Sequence, residues 1–124
     1  MLARDIMNPD VITIRANAHI YELTRKLSEG KISGLPVCNE MGQVVGIVSE
    51  ADLIGLKHGC RVKDIMSREV ISVGSDTPVQ QVACVLAEHR IKRVPVYDGD
   101  DRLVGIISRA DIVDAMARGA ARPR

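Results

Sequence analysis

The chain has 124 residues, 17 basic and 16 acidic, with a net charge of +1. That balance gives no field for general DNA or RNA binding, and Tyr21 and Tyr97 are too few aromatics for a base-stacking platform. No apolar run approaches 18 residues and no signal peptide is evident. Cys38, Cys60 and Cys84 form no CxxC pair and read as reduced thiols. The expectation is a cytoplasmic protein with no nucleic-acid and no membrane partner.

In chain order, Ala3-Arg4-Asp5-Ile6-Met7 is followed by Val11 to Ile14, a β-branched run that reads as a strand. Asn17 is placed to cap a helix whose inner stripe is Ile20, Leu23 and Leu27. Gly30 is its expected terminator. Leu35 to Cys38 and Val44 to Val48 read as a hairpin around a turn at 39–42, with Pro36 where a lost donor is tolerated. Ser49 opens a helix to about Leu56, and Gly55 to Gly59 links onward. The order then recurs. Val70 to Val73 is a strand. Thr77-Pro78-Val79-Gln80 reads as a capping box before a helix buried along Val79, Val82 and Leu86. Val94 to Tyr97 and Leu103 to Ile107 form a hairpin around 98–101, and Ser108 starts a last helix to about Met116.

This recurrence is a duplication. At an offset of 59 residues, positions 5 to 54 match their counterparts at 16 of 50 places without a gap. Asp5-Ile6-Met7 falls on Asp64-Ile65-Met66, Pro36-Val37 on Pro95-Val96, and Gly46 to Asp52 on Gly105 to Asp111. Repeats of about 55 residues bury little core alone. The domain reading is one module over 1–124, with repeats at 2–56 and 61–116 and a basic tail at 117–124.

Gly-x-x-Ser-x-x-Asp at 46–52 and 105–111 has two readings. Structurally, it is a serine N-cap with an acidic residue three further on. Functionally, a strand entering a helix presents N–H groups and a hydroxyl to an anion, and the aspartate can accept from a ribose diol. No triad, Walker loop or Gly-x-Gly-x-x-Gly motif is present, so catalytic residues are not expected and the chain is not read as an enzyme. His58-Gly59-Cys60 lacks further ligands at a recognised spacing, and His19 and His89 stand apart, so no metal is expected.

The Asp-Ile-Met opening, the Ile-x-x-Leu/Val-Pro-Val strand and the closing Gly-x-x-Ser-x-x-Asp, recurring in order twice, resemble a tandem pair of CBS (cystathionine-β-synthase-type) domains, also called a Bateman module. The resemblance covers about residues 2 to 114. It implies an α+β fold of two pseudo-symmetric β-α-β-β-α repeats packed through their sheets. It also implies clefts for adenosine-containing ligands such as AMP, ADP, ATP or S-adenosylmethionine. Such a nucleotide is a regulatory ligand, and no cofactor serves as catalyst. By position, the main cleft takes Ser108 and Asp111, with Asp111 on the ribose. Met7, Ile12, Ile32 and Ser33 lie around the purine, and Lys92, Arg93 and Arg109 face the phosphates. The second cleft takes Ser49, Asp52, Met66, Ile71, Ile91 and Lys92, and has Ser33 and Gly34 where the main cleft has Lys92 and Arg93. Glu50 replaces Arg109 there. The expected function is an adenine-nucleotide sensor acting on an unknown regulated protein, with a homodimer formed through the outer helices. The alternative is an interaction or dimerisation module with non-binding clefts.

Overall fold

A computed structural model describes residues 1–54 and 61–119. The expected link at 55–59, the end of the helix at Leu56, the His58–Cys60 pair and the end of the basic tail lie outside the described residues. The chain divides into two compact units whose boundaries cut across the sequence repeats. The first is Ile12–Val70. The second is Met1–Val11 together with the chain from Ile71 onward. Each sequence repeat therefore gives its opening segment, Met1–Val11 or the stretch from Arg61 to Val70, to the unit that holds the rest of the other repeat. We call these two segments straps.

In the first unit, β1 (Ile14–Arg15), β2 (Gly34–Cys38) and β3 (Val44–Ser49) form one sheet in that order. β1 is parallel to β2, and α2 (Ile20–Gly30) makes the crossover that parallel pairing requires. β2 and β3 are an antiparallel hairpin with a bulge at Val37/Cys38. The short α3 (Glu50–Leu53) follows. The strap supplies α4 (Val62–Ile65). Val62 joins Ile14, Leu23, Leu27, Leu35, Val37 and Val48 in the core. Beyond the helix, Ser67 exchanges both backbone hydrogen bonds with Ile47 (2.8 and 2.9 Å), covering the outer edge of β3.

The second unit repeats the plan. Its sheet runs β4 (Val73–Gly74), β5 (Arg93–Tyr97), β6 (Leu103–Ser108), with α5 (Val79–His89) as crossover and a bulge at Val96/Tyr97. α6 (Arg109–Ala117) closes it, and the N-terminal strap supplies α1 (Ala3–Ile6). Ala3 takes the place of Val62, buried with Val79, Val82, Leu86, Val94, Val96, Ile107 and Ile112. Ala3 N–H donates to the Thr77 carbonyl at 2.7 Å, Val79 N–H to Met1 at 3.0 Å, and Asn8 pairs with Ile106. The expected stripe Val79, Val82, Leu86 is buried.

This plan explains the proline in each middle strand. Pro36 stands opposite Ile47, whose N–H and C=O are taken by Ser67, and β1 reaches only Val37 and Cys38. Pro95 stands opposite Ile106 in the same way, with β4 reaching only Val96 and Tyr97. No neighbour asks either proline for a donor.

Four local expectations are corrected. The runs Val11 to Ile14 and Val70 to Val73 yield strands only at Ile14–Arg15 and Val73–Gly74. At Val11/Ile12 and Val70/Ile71 the chain passes from one unit to the other, and a β-branched run without a partner makes no ladder. Asn17 does not cap α2. The N-cap is His19, and the Asn17 carbonyl accepts from Arg61 Nη1 at 2.7 Å. Thr77 opens no capping box. Its Oγ1 accepts from Gly74 N–H at 3.1 Å in a turn, and Pro78 is the N-cap. Finally, Gly30 remains helical, and the left-handed cap falls on Lys31 (φ 51°), as on Arg90 (φ 54°) in α5. A left-handed non-glycine residue costs roughly 1 kcal/mol. A Cβ at Gly30 would stand 3.0 Å from Ile12 Cδ1, the end of an exposed side chain.

Candidate functional site

In the second unit, β6 runs directly into α6 at Ser108, whose backbone is still extended (φ −106°, ψ 169°). Asp111 reaches back, and its Oδ2 accepts from Ser108 N–H at 2.8 Å and from Ser108 Oγ at 3.0 Å. Asp111 N–H donates to Ser108 Oγ at 3.3 Å. The structural reading of Ser-x-x-Asp is therefore realised. It engages only Oδ2, and the described residues place no hydrogen bond on Oδ1.

The strand start lies against this turn. Arg93 is the register partner of Ser108, and Arg109 N–H donates to the Lys92 carbonyl at 2.9 Å. Arg109 Nε–H donates to the Ile91 carbonyl at 3.1 Å. Met7 arrives on the strap and packs over Gly105, where a Cβ would lie 2.7 Å from Met7 Cγ. Met7, Lys92, Arg93, Ser108, Arg109 and Asp111 thus belong to one unit, with Ile71 and Ile91 packed against its core. Met7 comes from the first repeat in sequence but from the second unit in space.

The first unit holds the twin arrangement. Asp52 Oδ2 accepts from Ser49 N–H at 2.8 Å and Oγ at 3.3 Å. Gly34 is the register partner of Ser49, Glu50 N–H donates to the Ser33 carbonyl at 2.9 Å, and Met66 packs over Gly46. Ile32 packs on the core, while Ile12 is exposed beside Gly30. The backbone is copied but the charge is not. Where the second unit has Lys92, Arg93 and Arg109, the first has Ser33, Gly34 and Glu50.

Sequence reasoning missed two further copies of the aspartate device. Asp5 Oδ2 accepts from Leu2 N–H and Asp64 Oδ2 from Arg61 N–H, each at 2.8 Å, starting α1 and α4. The signal was the spacing, an acid three residues past the first free donor. The two thiols described differ. Burial raises the pKa of Cys38, with the Thr13 hydroxyl and Arg15 pulling the other way, whereas Cys84 is exposed. Among the described residues no group of three or more His, Cys, Asp or Glu is placed to hold a metal, and no helix is long and apolar enough to cross a membrane.

The family model of the CBS domain matches the chain twice, at residues 3–59 and 62–118. The chain is a tandem pair of CBS domains. It is similar to an uncharacterised protein of Methanocaldococcus jannaschii, 28% identical over 94% of this chain and 91% of that one. Other relatives are longer. The CBS pair is 34% identical to the L-aspartate semialdehyde sulfurtransferase of the same organism but covers 22% of it. Among solved structures, the CBS domain pair of protein MJ0100 superposes with a TM-score of 0.88 at 32% identity, covering 96% of this chain and 98% of that one. CBSX2 gives 0.86 at 28% identity, covering 94% and 96%.

Proposed function

We propose that this CBS pair is a regulatory sensor of an adenosine-bearing ligand, with its stronger site at the β6–α6 junction. The observation that carries the reading is the Ser108–Asp111 turn flanked by Lys92 and Arg93. Oδ1 of Asp111 is an acceptor for a ribose hydroxyl, and Lys92 and Arg93, with the terminal nitrogens of Arg109, are donors for phosphate. Similar proteins support it. The MJ0100 pair is a complex with 5′-methylthioadenosine and S-adenosyl-L-methionine, and CBSX2 a complex with AMP. The bound nucleotide biases the conformation of the module and so its action on a partner protein, which requires unequal affinity for two states. The module is not itself an enzyme, is cytoplasmic and forms a homodimer.

Calorimetric titration with AMP, ADP, ATP, S-adenosylmethionine and GMP tests this. Asp111→Ala abolishes the tighter event, and Asp52→Ala leaves it nearly intact, because the Asp52 junction has one acid and no cation at the matching positions. Loss of two charge-assisted bonds separates the junctions by about tenfold or more. If Asp52→Ala alone removes tight binding, the assignment is inverted. A ligand at about 100 times its Kd stabilises by roughly 2.7 kcal/mol. If every adenosine ligand leaves the melt unmoved, the interaction-module reading replaces this one.

A further inference from the structure

Lys92 is bracketed by one residue. Arg109 Nε–H donates to the carbonyl before it, that of Ile91, at 3.1 Å, and Arg109 backbone N–H donates to the Lys92 carbonyl itself at 2.9 Å. The other end of this segment is held by α5. Arg90 is left-handed (φ 54°), and Ile91 N–H donates to the Leu86 carbonyl at 3.1 Å. The chain from Arg90 to Arg93 is thus an arch pinned at both ends, and Arg93 stands across from Ser108.

The first unit builds the same arch. Lys31 is left-handed, Ile32 N–H donates to the Leu27 carbonyl at 3.2 Å, and Glu50 N–H donates to the Ser33 carbonyl at 2.9 Å. The bond from Nε is not copied, because Glu50 ends in a carboxylate and has no donor for the Ile32 carbonyl. The arch therefore forms without it, and the fold does not require that bond. What the second arch carries and the first does not is charge at the ligand end, Lys92 and Arg93 against Ser33 and Gly34.

We propose that Arg109 is a positioning residue for the nucleotide site, a role that rests on the sensor reading: its Nε–H fixes the Ile91–Lys92 peptide and so sets where Lys92 meets the ligand. Arg90, Lys92 and Arg93 are three cations within four residues, and gathering them on one phosphate costs free energy. A backbone fixed in advance removes part of the ordering cost of binding. The terminal nitrogens of Arg109 keep the role already given them. The effect of Nε passes through Lys92.

The test uses the full chain and Arg109→Lys, which keeps a cation but has a methylene where Nε stood. In NMR spectra this variant should shift the Ile91 carbonyl carbon while the thermal melt stays cooperative. By calorimetry it should weaken ADP binding about two- to tenfold, the worth of one hydrogen bond. In a Lys92→Ala background the same change should weaken ADP by less than about twofold, because coupled residues do not act additively. A loss of about twofold or more in that background means that Arg109 acts on the ligand without Lys92, and overturns the role. An Arg109→Lys variant that binds ADP as tightly as the parent also overturns it, as does an unshifted Ile91 carbonyl. The sensor reading fails differently. A parent chain that binds no adenosine ligand sinks both, whereas a parent that loses ADP with Asp111→Ala and gives any of those three results sinks the positioning role alone.

Discussion

Gly105 and Gly46 are where each strap methionine meets a sheet, so they probe the exchanged packing directly. A Cβ on Gly105 has its three nearest neighbours in the Met7 side chain, including Cγ at 2.7 Å and Cβ at 2.9 Å. A Cβ on Gly46 meets Met66 Sδ at 2.5 Å and the Ser67 carbonyl oxygen at 2.8 Å. Either methyl must displace something, and overpacking typically costs about 1–3 kcal/mol. What yields differs. Met7 is an unbranched thioether and can swing away. The Ser67 oxygen accepts from Ile47 N–H at 2.9 Å and cannot withdraw without breaking that bond. Gly105→Ala is therefore expected to cost about 1–2 kcal/mol and Gly46→Ala about 2–3 kcal/mol, within the overpacking range. Urea denaturation of both single variants, Met7→Ala, Met66→Ala and the two double variants gives the coupling energies. Trimming Met7 should recover about 1 kcal/mol of the Gly105→Ala loss, well above the additivity limit of about 0.5 kcal/mol. Trimming Met66 should recover less than half of the Gly46→Ala loss. Additive effects at Gly105 and Met7 would show that the methionine does not sit on the glycine. Equal rescue in both pairs refutes the role given to the Ser67 carbonyl.

A fragment of residues 1–59 lacks Val62, Ile65, Met66 and the Ser67 bridge, and should show less helicity and a lower melting midpoint than a fragment of residues 12–70, which keeps them; the reverse order by circular dichroism contradicts the unit boundaries. Iodoacetamide labelling read by mass spectrometry should modify Cys84 well before Cys38, because Cys38 is buried and its raised pKa keeps it a thiol. The pKa of Asp98 is lowered, chiefly by the Arg102 backbone N–H bonded to its carboxylate. A depressed carboxylate stabilises the fold above its unfolded pKa and loses that contribution as pH falls through the folded value. The stability gap between the parent and Asp98→Asn should thus be full near neutrality and close below about pH 4; a gap independent of pH would remove the carboxylate's charge from the account.

The duplication made most of this architecture readable. A match without gaps forces equivalent elements, and the hairpins at Leu35 to Val48 and Val94 to Ile107 came from alternation and turn chemistry that act locally. The Ser-x-x-Asp turns were legible for the same reason, since donor and acceptor lie three residues apart. What failed depended on distant partners. Val11 to Ile14 has strand composition, but β2 offers a parallel neighbour only at Val37 and Cys38. Thr77 has the spacing of a cap, but the Gly74 N–H lies closer to hand. Gly30 and His89 occupy the same place in their helices, and both helices end one residue later in a left-handed Lys31 or Arg90, so the glycine marked the last helical residue of α2 and not the left-handed one, and no glycine marked the end of α5.

The exchange of straps was beyond the reach of sequence pattern for a deeper reason. Asp5-Ile6-Met7 and Asp64-Ile65-Met66 are the same device, and Gly46 and Gly105 are the same seat. A duplicated sequence supplies two keys and two locks of one pattern, so periodicity, hydropathy and capping fit either pairing equally well. The choice is made by backbone connections that the pattern does not contain: Ala3 to Thr77 and Asn8 to Ile106 in one unit, Val62 to Ala18 and Ser67 to Ile47 in the other. The consequence reaches the candidate site. Met7 stands beside Gly105, on the strand that ends at Ser108, although it opens the first repeat, so strap docking and the Ser108–Asp111 junction share one core. Each unit is completed by residues that continue directly into the other, at Val11/Ile12 and at Val70/Ile71. Loss of a strap from its seat therefore removes core from the unit it completes, Ala3 from one and Val62 from the other, although the strap belongs in sequence to the repeat that makes up the rest of the other unit.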